Sequence, residues 1–155
     1  MDINTLIELV KKREGIKLDW TVEICGNSMM PLIHSGDKVL LEKLNSYQIG
    51  DVLVFYYEPQ KTFIAHRLLL KYNGNLYCKG DNSFALEKVN PINVAGRVLY
   101  TLKDGGLIKL PAPSKDFISS SLKVNLEYCR LEYNKTKIKN SIVYQEYRKK
   151  YLDFE

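Results

Sequence analysis

The sequence predicts a mainly β protein: a curled, mostly antiparallel sheet, preceded by a short N-terminal helix and followed by a helical C-terminal tail. Three observations carry this. Between Leu18 and Leu110, short β-prone runs are broken by Gly, Asn, Asp and Pro. Asn73-Gly74 and Asp104-Gly105 each suit a two-residue hairpin turn, which needs positive φ at both positions. Beyond Pro111 and Pro113, residues 114–155 contain no Gly and no Pro, and apolar residues recur at helical spacing.

In chain order, Ile3, Leu6, Ile7 and Val10 recur at intervals of three and four and predict a helix over 3–14, with Asn4 or Asp2 as its cap and Gly15 as its end. Strands are predicted at Trp20–Cys25, Lys38–Glu42, Val52–Tyr57, Phe63–Leu70, Leu76–Lys79, Val94–Leu102 and Leu107–Leu110. Runs this short and this evenly spaced fit a curled sheet or partial barrel. In the tail, Ile118, Leu122, Leu126, Cys129 and Tyr133 form one helical stripe, and Tyr144, Tyr147, Tyr151 and Phe154 another, predicting one or two amphipathic helices. The chain therefore divides into an N-terminal helix (1–17), a β domain (18–113) and an amphipathic tail (114–155).

At 155 residues the chain has the length of one domain, and its 45% hydrophobic and 26% charged residues exclude a disordered polymer. No apolar run approaches the ~18 residues of a membrane-spanning helix. The first twenty residues place their basic cluster after the apolar stretch and lack a cleavage site of small residues, unlike a secretory signal peptide. The expectation is a soluble cytosolic protein. Net charge is +5, with +2 in residues 1–113 and +3 in residues 114–155. That mild excess permits an anionic partner without requiring one, and no nucleic acid is expected. The three cysteines, Cys25, Cys78 and Cys129, are far apart with no CxxC, so neither a disulfide framework nor a zinc site is expected. No metal or cofactor is called for.

Three segments of the β region hold residues suited to chemistry. Cys25-Gly-Asn-Ser28-Met-Met-Pro31 reads as a strand ending in a tight turn, which can present a hydroxyl beside backbone N–H groups, the needs of a serine nucleophile and its oxyanion hole. Taken alone, a Ser in a Gly/Asn turn is ordinary turn chemistry. His66, in the apolar run Ile64-Ala-His-Arg-Leu-Leu69, is either a satisfied half-buried histidine or a general base. In Lys79-Gly-Asp-Asn-Ser-Phe-Ala-Leu-Glu87, Asp81 and Glu87 are either a turn former and a surface charge or groups that orient an imidazole. His34 reads as an exposed loop residue. Cys25 reads as a small buried residue and Met29 as a wall residue able to line a substrate groove.

Taken in order along the chain, Gly26-Asn27-Ser28-Met29-x-Pro31, Ser35-Gly-Asp37, Tyr47-x-x-Gly50-Asp51-Val-Leu-Val-Phe55, Ile64-Ala-His66-Arg67, Lys79-Gly80-Asp81-Asn82 and Gly96-Arg-Val98 resemble the S24/S26 peptidase group, the type I signal peptidases and LexA-type self-cleaving repressors. The resemblance covers roughly residues 20–102. His66, where bacterial signal peptidases and LexA-type proteins usually have lysine, resembles the endoplasmic-reticulum and archaeal signal peptidases and small soluble bacterial relatives. Glu87 stands where relatives more often have Asp, and is longer by one methylene. Two departures stand out: no membrane-spanning helix precedes Ser28, and the residues ahead of Trp20 are too few for a helix-turn-helix.

The resemblance implies a signal-peptidase/LexA type sheet and a serine endopeptidase that removes a leader or signal segment from a peptide or protein precursor. Ser28 is the implied nucleophile and His66 the base, with Glu87 or Asp81 as the acid. The spacing of the family favours Glu87; the Gly-Asp-Asn turn favours Asp81. With Glu87 on His66, Asp81 is expected to accept backbone N–H bonds in its turn. Gly26, Asn27 and Met29 are the implied oxyanion and groove residues; some relatives carry a helpful hydroxyl where this chain has Gly26. The alternative is a catalytically silent peptide-binding module on the same fold. The tail has two competing uses, packing on the β domain and peripheral docking on an anionic membrane, and packing is the expectation.

Overall fold

The computed structural model describes residues 18–153 together with Thr5, Glu8 and Leu9, which are helical. The rest of the predicted 3–14 helix and Phe154 lie outside the described residues. The strands are β1 (Leu18–Glu23), β2 (Lys38–Glu42), β3 (Val52–Tyr57), β4 (Thr62–Tyr72), β5 (Asn75–Lys79), β6 (Glu87–Val89), β7 (Val94–Lys103) and β8 (Gly106–Lys109). Three helices follow: α1 (Lys115–Arg130), α2 (Lys135–Lys139) and α3 (Ile142–Tyr151). The fold is thus mainly β with a helical C-terminal region.

All strand pairs are antiparallel, and the order across the sheet is β1-β2-β7-β3-β4-β5-β6, with β8 on β7. Long β7 is the fork. Arg97–Leu102 pairs with β2, Val94–Arg97 with β3, and Tyr100–Lys103 with β8. Among the described residues no pairing joins β6 back to β1, so the sheet is open and not a barrel. Both Asn-Gly and Asp-Gly turns form as expected: φ is 54° at Asn73 and 76° at Gly74, and 51° at Asp104 and 75° at Gly105.

Strand β3 is buried on both faces. Val52 and Val54 join Met29, Ile33, Val39, Leu41, Ala65 and Val98 on one side. Leu53 and Phe55 join Tyr47, Leu68, Leu76, Cys78, Val89 and Val94 on the other. This alternation sorts the residues that matter for the site. His66 and Leu68 share the face of Leu53 and Cys78, whereas Arg67, paired with Val52 and Lys79, points the opposite way.

The tail differs from its predicted pattern. It forms three helices, each capped by a side chain: Ser114 accepts from the Phe117 N–H, Asn134 from Lys137 and Ser141 from Tyr144. The stripe predicted to be inward holds only in part: Ile118 and Leu122 of α1 are half-buried, whereas Leu126, about two-thirds exposed, and Cys129 face out, as does Tyr133 beyond the end of the helix. The buried face is Ser121, Val124, Asn125 and Tyr128. Two of these, Ser121 and Asn125, are polar and hydrogen-bond to Lys79 and Phe84, and so they escape an apolar-periodicity reading. Tyr144 and Tyr147 of α3 are buried as the second stripe predicted. They pack with Val124, Tyr128, Ile138, Leu152, Phe84 and Phe117 into a core of their own. Among the described residues no helix is long and apolar enough to cross a membrane.

Candidate active site

The turn after β1 sets up Ser28. Met30 N–H donates to Asn27 O at 3.1 Å and Ile33 N–H to Met29 O at 3.0 Å, closing a compact loop that contains a cis Met30–Pro31 peptide. Ser28 is partly exposed at its crest. Its own N–H has no acceptor among the described residues.

His66 comes to Ser28 from the middle of β4. Its Nε2 lies 3.0 Å from Ser28 Oγ, and its Nδ1 lies 2.9 Å from Glu87 Oε2. A carboxylate only accepts, so Nδ1 carries the proton and donates to Glu87. The Nε2 lone pair is then left facing the Ser28 hydroxyl. His66 is 7% exposed, and the Phe55 ring stands edge-on beside its imidazole at 6.2 Å between centroids. Glu87 opens β6 and pairs with Cys78, the cross-strand partner of Leu68, which puts it on the His66 face. The three groups are therefore brought together from a turn and two strands. Burial, with Glu87 adding to it, pushes the neighbouring Cys78 thiol up, so this cysteine stays a protonated core residue.

Asp81 is placed elsewhere. Its two carboxylate oxygens accept from Arg67 Nε and Nη2, each at 2.8 Å, while Arg67 Nη1 donates to Gly50 O at 2.8 Å. Both side chains are almost fully buried. Asp81 thus does not orient His66, and its carboxylate meets a guanidinium where turn N–H groups were expected. Alternation explains this: Arg67 faces the side of the sheet opposite His66, and Asp81 follows it.

The 79–84 segment cradles the Ser28 loop. Asn82 N–H donates to Ser28 O at 2.8 Å, Asn82 Nδ2 to Asn27 O at 3.2 Å, and Asp81 N–H to Met29 Sδ at 3.4 Å. Gly80 lies so close that a Cβ there would sit 2.6 Å from Ser28 O and 2.9 Å from Ser28 Cβ. A side chain at this position would displace Ser28. The sequence offered these residues only as members of a box; their support of Ser28 is visible in three dimensions alone.

Lys79 is fully buried beneath this segment. Its Nζ donates to Gly80 O and to Ser121 Oγ, both at 2.9 Å, and lies 5.3 Å from the centre of the Tyr147 ring. Burial is the main cause that lowers its pKa to about 7, against the opposing pull of Asp81 and Glu87.

Other predicted residues divide. Asn27 is exposed beside Ser28, and its carbonyl is engaged by Met30 and Asn82. Gly26 N–H is taken by Ser35 Oγ at 3.2 Å, so it is not a free oxyanion donor. Met29 is 1% exposed in the core, so it cannot line a groove. Cys25 is exposed, not buried as expected, and His34 lies in an exposed loop near Asp37 and Lys103. A cavity of about 430 Å³ lies to one side, lined by Pro31, Arg67, Asp81, Pro113, Phe117 and Leu152 but not by Ser28 or His66. Among the described residues no group of three or more His, Cys, Asp or Glu side chains is placed to hold a metal ion.

No family model matches the chain, and no curated protein matches it in sequence. The functional reading therefore rests on the geometry around Ser28.

Proposed function

We propose that the protein is a serine endopeptidase of the signal-peptidase type, with a sheet of the signal-peptidase/LexA kind, that cleaves a leader or signal segment from a peptide or protein precursor. The observation that carries this is the unbroken chain Ser28 Oγ–His66–Glu87, at 3.0 and 2.9 Å, assembled from residues 38 and 21 positions apart. A merely satisfied histidine needs neither a serine in a tight turn on one nitrogen nor a carboxylate on the other.

In the proposed reaction Ser28 Oγ attacks the scissile carbonyl carbon as its proton passes to His66 Nε2. Glu87, accepting from Nδ1, fixes the tautomer and stabilises the imidazolium. The oxyanion develops against the Ser28 N–H, which has no acceptor among the described residues. The C–N bond then breaks, and His66 hands its proton to the departing amine, leaving an acyl ester on Ser28. Water adds to the ester and gives its proton to His66, which returns it to Ser28 Oγ as the carboxyl product leaves. The substrate is an extended peptide that pairs along an exposed strand edge near Ser28. The free thiols, two of them exposed, suit a reducing compartment such as the cytosol.

The test is covalent labelling with an alkyl fluorophosphonate, read by intact mass and peptide mapping. Wild type should take one label at Ser28. Ser28→Ala and His66→Ala should each lose labelling and precursor cleavage by about 10⁴-fold while melting normally, and the double variant should be little worse. A Ser28→Ala protein that cuts at the wild-type rate would falsify the mechanism. A wild type that binds peptide but neither labels nor cuts would be the silent binding module.

A further inference from the structure

We infer that the helical tail is part of the catalytic unit: Tyr147, Asn125 and Ser121 are positioning residues that hold the 79–84 segment, and through it Ser28. The inference rests on the reading of Ser28 as the nucleophile. Residues 80–86 belong to no strand or helix, so their carbonyls have no ladder to bond into. Gly80 O accepts locally from Ser83 N–H at 3.1 Å, and the tail supplies partners for two others. Tyr147 OH donates to Asp81 O at 2.6 Å, and Asn125 Nδ2 donates to Phe84 O at 2.9 Å. Ser121 Oγ accepts from Lys79 Nζ, which also donates to Gly80 O.

The bonds of Tyr147, Asn125 and Ser121 hold the segment from the tail side. The segment's N–H groups and the Asn82 amide hold the Ser28 loop from the other side. Phe84, at its end, is wedged between Tyr128 and Tyr144, with ring centroids 5.5 and 5.1 Å away. Gly80 leaves little slack, because even a Cβ there would fall 2.6 Å from Ser28 O. A shift of the segment therefore passes directly to the nucleophile. It also passes along the chain to Glu87, which begins β6 three residues after Phe84.

The test uses the full chain, the same alkyl fluorophosphonate, and Tyr147→Phe, which removes one hydroxyl and keeps the ring against Lys79 and Phe117. Asn125→Ala is the second variant, and Leu126→Ala, exposed on the far face of α1, is the control. For the first two, kinact at Ser28 should fall about tenfold or more, with KI and the end-point of one label per chain unchanged. Hydrogen exchange of the Asn82 amide, bonded to Ser28 O, should accelerate in both; Leu126→Ala should match wild type. A wild-type kinact in both variants overturns the inference, whatever the exchange shows. A lower end-point with unchanged kinact also overturns it, since that is loss of folded protein. If wild type itself takes no label, the endopeptidase reading fails and exchange at Asn82 decides alone: acceleration upholds the clamp, and no change overturns it.

Discussion

Two acids six residues apart take different partners because they stand on opposite sides of the sheet. Glu87 lies in strand register with Cys78 and reaches His66; Asp81 precedes that strand and meets Arg67. The longer side chain of Glu87 completes the reach at 2.9 Å. Their substitutions should separate accordingly. Glu87→Gln keeps an acceptor for Nδ1–H but removes the charge that stabilises the imidazolium, so turnover should fall on the order of 10³-fold with little change in melting temperature. Asp81→Asn leaves Arg67 buried without its counter-charge, at a cost of roughly 3–5 kcal/mol, read as a lower melting temperature. Equal melting temperatures for the two variants would contradict this division. The sequence named both acids as candidates but could not choose between them, because facing direction depends on the register of β4, β5 and β6 together.

At the scale of elements, the strands were legible and the tail only partly so. β2 and β3 appear at their predicted residues, since both are continuous apolar runs bounded by charged or turn residues. β6 was missed: three residues, Glu-Lys-Val, are too few to show a period. In α1 the apolar stripe and the buried face differ because Ser121 and Asn125 are buried for the hydrogen bonds they make to Lys79 and Phe84. Only after the fold brings those partners near do polar positions become inward ones. Removing residues 114–155 would uncover Phe84 and leave Lys79 and the Asp81 carbonyl without their tail partners. The chain ending at Pro113 should therefore show increased dye binding, lower solubility and a lower melting temperature. A truncated protein as soluble and as heat-resistant as wild type would show that the tail is dispensable to the fold.

Across the whole molecule, stability should carry a pH signature from the buried lysine that joins sheet to tail. Folded Lys79 titrates at about 7, whereas the unfolded chain holds that proton up to about 10.4. Between those values the unfolded state binds more protons, so raising the pH through this window stabilises the folded state; below it the cost of the buried charge is fully present. Burial raises Cys78 and Tyr147, whose contributions run the other way as pH rises. The readout is therefore the difference between wild type and Lys79→Met: the melting temperature of wild type should gain on the variant from pH 7 to pH 10. Parallel profiles would show that Lys79 does not titrate there. By itself the sequence determined the mainly β class, the hairpin turns, the helical tail and the candidates Ser28, His66, Glu87 and Asp81. These depend on local periodicity, turn chemistry and short motifs. The tertiary structure alone decided which carboxylate meets His66, which face of α1 is buried, and that the tail grips the segment beneath Ser28. Those contacts join residues distant in the chain, such as Tyr147 and Asp81, 66 positions apart. Such pairs leave no period or spacing in a single sequence; they exist only once strand register and helix packing have set the geometry.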